Sequence, residues 1–224
     1  MQLSPAALAR CVPFAIFMAL LGLRGLLGEF GSLNFDARWI YGLSVVAVGG
    51  ALLWWRSDYG ELARQNWPDA RELRLAVIVG LVVFVLWIQL DAPWMQLAPP
   101  TASFVPLDAG GRLVWPLVLL RWIGAALVVP IMEELFWRSF LMRWIDNPRF
   151  ETVDPGRVSP RALIVSTFIF TLAHTLWLAA AIAGLTYAWL YIRTGRLWTA
   201  VIAHAVTNGA LGIWVLATGR WEFW

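Results

Sequence analysis

The most regular feature of this sequence is a series of long apolar stretches separated by short polar segments. Each stretch is long enough, or nearly so, to cross a hydrocarbon layer of about 30 Å as a helix of about 20 residues. The segments between them carry charges, prolines or both, as connections outside a bilayer do. The pattern predicts an all-α, polytopic transmembrane helical bundle of about seven spans (six to eight): 11–29, 39–55, 75–94, 113–130 running on toward 144, 162–179, 180–192 and 197–217.

The composition agrees with a lipid environment. Of the 224 residues, 60% are hydrophobic and 14% are charged, which is more apolar surface than one soluble core of this size can bury. We expect one transmembrane domain, residues 1–224, with a motif-bearing core at 113–217. Cys11 is the only cysteine, which excludes an intrachain disulfide and a thiolate metal cluster. The expected surroundings are the lipid bilayer, and nucleic acid is not an expected partner.

The arginines predict the orientation of the chain. In a seven-span arrangement eleven arginines fall on one side and three on the other, which by the positive-inside rule places the arginine-rich side in the cytoplasm. We therefore expect a multi-pass protein of the bacterial inner membrane with a cytoplasmic amino terminus. The eleven are Arg10, Arg56, Arg64, Arg71, Arg74, Arg143, Arg149, Arg157, Arg161, Arg193 and Arg196, and the three are Arg38, Arg112 and Arg220.

Three ionisable residues lie close together inside the fourth apolar stretch. A charged group at mid-membrane costs about 2.5 to 3.5 kcal/mol on insertion scales, so these groups need a reason to be there. Glu134 and Arg138 are four residues apart on one helical face, and the spacing predicts an ion pair. Glu133 points about 100° away from Glu134 and has no obvious local partner, which suits it to act as a base.

Both histidines of the chain also lie in apolar stretches. His174 is four residues after Phe170, which predicts a shared helical face, and Asn208 follows His204 at the same spacing. If all spans are straight helices, the candidate groups lie about 11 to 20 Å from the cytoplasmic face. This common level predicts one shared site, reachable from the cytoplasmic half of the bilayer.

Other charges in apolar stretches have structural interpretations. Asp91 and Arg121 approach the outer half at similar depths and are expected to pair. Arg24 lies near the outer end of the first span, where its guanidinium is expected to extend to the interface.

The candidate residues form an ordered set of motifs on separate apolar stretches. The set resembles the CAAX-protease and bacteriocin-processing family, relatives of the type II CAAX prenyl endopeptidase, over roughly residues 130–208. Each motif alone is weak, whereas the ordered trio is specific. The three motifs are Glu133-Glu134-x-x-x-Arg138, Phe170-x-x-x-His174 and His204-x-x-x-Asn208.

The resemblance implies a membrane-embedded glutamate-type endopeptidase that hydrolyses a peptide bond of a membrane-associated protein or peptide, with or without a lipid modification. It implies neither a cofactor nor a bound metal. The roles that it implies are water activation for Glu133 and His174, oxyanion stabilisation for His204 and Asn208, and orientation by the pair Glu134 and Arg138.

Three alternatives remain open from the sequence. A zinc-dependent membrane protease would use Glu133, His174 and His204 as ligands, although no His-Glu-x-x-His occurs. A non-catalytic binding or immunity-type protein would keep the same groups to hold a peptide. A proton-coupled transporter would use them as a relay, but no paired broken helices or inverted repeat is visible.

Overall fold

The computed structural model describes residues 4–29, 35–98 and 104–224, and no candidate site residue falls outside these ranges. In the described part the fold is all-α, with one isolated bridge between Leu107 and Leu113. The prediction of a helical bundle with about seven helices is confirmed. The principal helices are α1 Pro5–Glu29, α2 Trp39–Trp54, α3 Ala70–Gln89, α4 Trp115–Asp146, α5 Pro160–Leu172, α6 Trp177–Thr194 and α7 Leu197–Thr218.

Four of these helices, α1, α3, α4 and α7, are long and apolar enough to cross a membrane, and α2 and α5 are shorter apolar helices. The 13 residues of α5 rise about 20 Å, which is less than a hydrocarbon layer of about 30 Å. The predicted number of crossings is therefore met only approximately.

The boundary between the fifth and sixth predicted spans is wrong. The sequence placed His174 inside a helix at 162–179, whereas α5 ends at Leu172 and His174 lies in the turn before α6. In a continuous α-helix the backbone N–H of His174 would donate to the carbonyl of Phe170. Here the side-chain Nδ1 of His174 lies 2.8 Å from that carbonyl oxygen and competes with the backbone N–H for it. The backbone N–H of His174 pairs with Thr171 instead. The straight-helix depth estimate therefore does not apply to His174.

A buried charged cluster holds together the end of the bundle at which α1 begins. Arg10, only 2% exposed, pairs with Glu61 at 2.7 Å. Ser139 and Arg143 of α4 reach the same carboxylate, so the cluster joins α1, the connection after α2 and the second half of α4. Burial alone would raise the pKa of Glu61, but the charge and hydrogen bonds of Arg10 and the hydroxyl of Ser139 hold it below its usual range.

We expect Glu61→Ala to lower the free energy of unfolding by about 3 to 5 kcal/mol, because it leaves Arg10 buried without its partner. Since folding depresses the pKa of Glu61, its contribution is complete above the ordinary carboxyl pKa of about 4.3 and is lost as the pH falls further. Thermal unfolding in detergent at several pH values measures both effects. Arg157→Ala is the control, because that side chain is 86% exposed in a 3.9 Å pair. Equal stability of the two variants would contradict the role of the cluster.

Helices α3 and α7 are in close contact at Gly80. A Cβ on Gly80 would lie 2.5 Å from the backbone oxygen of Ala203 and 2.9 Å from the Cβ of Val206. The hydroxyl of Thr207 also binds the carbonyl of Gly80 at 2.9 Å. The close approach matters for the site, because Ala203 directly precedes His204.

Gly80→Ala is expected to push α3 and α7 apart and to destabilise the protein by about 1 to 3 kcal/mol, since the obstacle is backbone that cannot rotate away. Gly49→Ala in α2 is the matched control, because nothing lies within 4 Å of a Cβ built there. Melting temperatures of both variants in detergent test this expectation, and a Gly80→Ala protein as stable as Gly49→Ala would refute it.

Candidate active site

Helix α4 departs from regular α-helical geometry on both sides of its glutamates. Gly124–Val128 and Leu135–Leu141 are π-helical, and Glu133 and Glu134 lie between them. Pro130 has no N–H, so carbonyls in the preceding turn lose a backbone donor. One of them, the carbonyl of Ala125, accepts from the Nδ2 of Asn208 in α7 at 2.9 Å. The irregular turn thereby ties α4 to α7.

Glu134 is fully buried between two cationic or potentially cationic side chains. The Nε of Arg138 lies 3.2 Å from its Oε2, so the ion pair that the spacing predicted is present. The Nδ1 of His204 lies 2.9 Å from its Oε1, a contact that sequence reasoning missed. Glu134 therefore connects the first motif to the third.

Arg138 is held by α5 and α6 as well as by Glu134. Its Nη2 donates to the carbonyl of Gly184 at 3.2 Å, and its Cζ lies 4.6 Å from the ring centroid of Phe170. The lack of a side chain at Gly184 lets the ring of Phe170 pack against α6, because a Cβ on Gly184 would lie 3.0 Å from that ring. The guanidinium is thus fixed behind the cavity.

His174 is oriented by the turn in which it lies. Its Nδ1 is 2.8 Å from the oxygen of Phe170, and because a carbonyl can only accept, Nδ1 carries the proton. The lone pair of the neutral ring is therefore on Nε2. The ring of Trp87 meets His174 edge-on, with centroids 5.8 Å apart. The tautomer leaves His174 with one nitrogen that can accept a proton.

His204 is fixed by a stacked ring as well as by Glu134. Tyr187 of α6 lies nearly parallel to the imidazole, with centroids 4.9 Å apart and an interplanar angle of 18°. The hydroxyl of Tyr187 donates to Thr207 at 2.8 Å. Sequence reasoning missed Tyr187, and the available signal was a tyrosine within an apolar stretch, three residues after Gly184.

The four side chains predicted to be catalytic line one cavity of about 310 Å³. The Oε2 of Glu133 is buried and has no hydrogen-bond partner among the residues that the structure describes. Glu134 and Arg138 do not line this cavity. The structure brings to this cavity the four side chains predicted to be catalytic, which come from α4, α7 and the turn before α6: Glu133, His174, His204 and Asn208.

A second cavity of about 460 Å³ adjoins the first and shares His174, Trp87 and Arg121 with it. It lies at the end of the bundle where α3 and α7 finish and α4 begins. This end is opposite the buried cluster around Glu61, and so opposite the arginine-rich half from which we expected access to the site.

The predicted ion pair between Asp91 and Arg121 is wrong. Asp91 pairs with Arg220 at 2.9 Å, and the guanidinium of Arg121 lies 4.6 Å from the ring centroid of Tyr41. Asp91 lies just after the end of α3, and although it lines the same cavity as Arg121, Arg220 is the arginine that its carboxylate reaches.

No three His, Cys, Asp or Glu side chains within residues 4–29, 35–98 and 104–224 are grouped closely enough to hold a metal ion. The residues of the zinc alternative, Glu133, His174 and His204, line the cavity without forming such a group.

The fold and this polar site within apolar helices define the class as a helical membrane protein. Residues 115–210 match the model of the family described as Type II CAAX prenyl endopeptidase Rce1-like. The resemblance predicted from the three motifs is confirmed, and at the level of the family the match is to CAAX-type intramembrane proteases.

The chain is also similar to the UPF0177 protein YxdF of Lactococcus lactis subsp. lactis (strain IL1403). The two are 25% identical over 175 residues, which cover 74% of this chain and 89% of the relative. No solved structure matches the chain.

Proposed function

We propose that this protein is an intramembrane endopeptidase in which Glu133 and His174 activate water for attack on a peptide carbonyl. The observation that carries the proposal is the unpaired, buried Oε2 of Glu133 in the cavity that His174 also lines. A buried carboxylate oxygen without a partner is costly, and a bound water would satisfy it.

The two side chains offer complementary acceptors to a water molecule. One O–H of the water donates to the carboxylate of Glu133 and the other to the Nε2 of His174. As the oxygen attacks, Glu133 takes the proton and later gives it to the departing amine, so the proton count balances over the cycle. His174 holds the water in the orientation for attack.

His204 and Asn208 are suited to stabilise the oxyanion that the attack creates. The Nδ2 of Asn208 donates one of its two hydrogens to the carbonyl of Ala125, which leaves the second hydrogen for another acceptor. Because the Nδ1 of His204 donates to Glu134, its Nε2 becomes a donor only when both ring nitrogens carry protons. The carboxylate of Glu134 balances the charge of that doubly protonated ring, and Arg138 holds Glu134 in place.

The expected substrate is a peptide or protein that reaches the cavity from the membrane, with or without a lipid modification. We further propose that the whole chain forms one transmembrane domain of a bacterial inner membrane, with its amino terminus in the cytoplasm. The arginine distribution supports that orientation.

Comparing membrane peptides from cells that contain the wild-type protein or Glu133→Ala tests the proposal. We expect at least one fragment to depend on Glu133 and to be produced at the same rate when purified protein is treated with strong chelators. Identical peptide sets would favour a non-catalytic binding protein, and loss of cleavage with a chelator would favour the zinc alternative.

A further inference from the structure

The turn that carries His174 is supported by the connection that follows α3. Residues 173–176 lie between α5 and α6 and belong to neither helix. Ala173 and Thr175, on either side of His174, are exposed, so packing of these two neighbours does not fix the turn. Contacts with other elements therefore have a large share in placing His174.

Two hydrogen bonds join the turn to this connection. The backbone N–H of Leu97 donates to the oxygen of Thr175 at 2.8 Å. The indole Nε1 of Trp177, the first residue of α6, donates to the carbonyl of Trp94 at 3.0 Å. The rings of Trp94 and Trp177 also meet edge-on, with centroids 6.5 Å apart. Thr175 and Trp177 follow His174 by one and three residues, so the two bonds hold the chain directly after the imidazole.

Helix α3 thereby takes part in placing both histidines of the candidate site. Near the end of α3, the ring of Trp87 meets His174 edge-on, with centroids 5.8 Å apart. Earlier in the same helix, Gly80 is in close contact with Ala203, which precedes His204. The position of His174 relative to His204 is therefore set in part by α3 and by the connection that follows it.

We propose that Trp177 is a positioning residue that acts through His174; its effect on cleavage rests on the proposed function. The indole N–H of Trp177 can only donate, and it donates to the connection after α3. An aromatic residue that served only as an interfacial anchor would need its ring but not this hydrogen bond. Displacing a group that orients the reactants by about 1 Å can cost about 10²-fold in rate, so loss of the bond should slow the chemical step.

Trp177→Phe tests this role, because it keeps an aromatic ring and removes the N–H donor. The full-length protein is labelled at histidine and studied by NMR in detergent micelles, where His174 and His204 are the only labelled rings. At about pH 8, above the ordinary imidazole pKa of about 6.5, we expect His174 of the wild type as a single Nδ1–H tautomer. In Trp177→Phe the His174 signals should broaden or divide between two tautomers, while those of His204 stay unchanged. The spectrum of His174→Gln assigns the signals.

Cleavage kinetics are the second measurement on the same variant. For the peptide that yields the Glu133-dependent fragment, Trp177→Phe should lower kcat about tenfold and change KM by less than about twofold. The melting temperature should fall by no more than about 4 °C, as loss of one hydrogen bond predicts. Trp115→Phe is the control, because that side chain is 59% exposed, and it should keep the wild-type kcat and His174 signals.

Leu97 offers a matched pair of substitutions at the other hydrogen bond. Leu97→Pro removes the N–H that binds Thr175, whereas Leu97→Ala keeps it and shortens a side chain that is 54% exposed. Gln96 is already extended, as the residue before a proline prefers to be. We expect Leu97→Pro to reproduce the His174 spectrum and the lower kcat of Trp177→Phe, and Leu97→Ala to behave as the wild type.

Disturbed His174 signals together with a lower kcat in Trp177→Phe and Leu97→Pro support the inference. Unchanged signals in both variants, an unchanged kcat despite disturbed signals, or a rise in KM alone overturns it. If the wild type cleaves no peptide while the His174 signals change in both variants, the proposed function fails and the placement of His174 by Trp177 stands. If cleavage depends on Glu133 and neither variant alters it, the positioning role alone fails.

Discussion

Replacing Glu133 by glutamine is expected to abolish peptide cleavage while the protein inserts and folds as before. Glutamine has nearly the same volume, but its amide cannot take a proton from water. The Oε2 of Glu133 makes no hydrogen bond with the described residues, so the substitution removes no internal contact at that atom. Loss of a general base typically costs a factor of about 10² to 10⁴ in rate, which would leave turnover near background.

Cleavage rates of purified protein, with melting temperatures beside them, measure this effect. Glu151→Gln is the matched control, because Glu151 is exposed in the connection between α4 and α5. We expect it to retain full activity. Undiminished turnover in Glu133→Gln would reject the assignment of the base, whereas a large fall in melting temperature would show that Glu133 supports the fold.

The second large effect is expected at Glu134, where loss of the carboxylate should impair both stability and turnover. Glu134→Leu leaves Arg138 buried without its charge partner and His204 without its acceptor. Breaking a buried ion pair in this way costs about 3 to 5 kcal/mol. Glu134→Gln keeps an acceptor for His204 and should be the milder of the two substitutions. Thermal unfolding and cleavage rates are measured on both.

A double substitution separates the two roles of Glu134. Glu134→Leu together with Arg138→Leu removes both charges, so part of the lost stability should return. Activity should not return, because His204 still lacks its anchor. A Glu134→Leu protein with wild-type stability and turnover would show that the pair is dispensable.

The helices were predictable because each one coincides with a long apolar stretch, and α3 begins with a capping box at Asp69 and Glu72. The break at His174 was not predictable from periodicity. No glycine or proline marks it, and it depends on the imidazole taking the carbonyl of Phe170. Such side-chain competition depends on rotamer and packing as well as on sequence.

The site was predictable to different degrees. The pair Glu134 and Arg138 follows from helical spacing, since residues four apart meet on one face. The contact between Glu134 and His204 joins residues 70 positions apart, and only the packing of α4 on α7 brings them together. The pairing of Asp91 with Arg220 was missed for the same reason, because depth gives the level of a residue but not the direction in which it faces.

The two π-helical segments of α4 have a consequence for how one helix can serve several neighbours. Each segment adds about one residue of rotation, close to 100°, relative to an uninterrupted α-helix. Three sections of α4 are thereby set in different rotational phases: Arg121 lies over Tyr41 of α2, Glu134 meets His204 of α7, and Arg143 reaches Glu61. Because the three sections face in different directions, one helix contacts α2, α7 and the connection after α2.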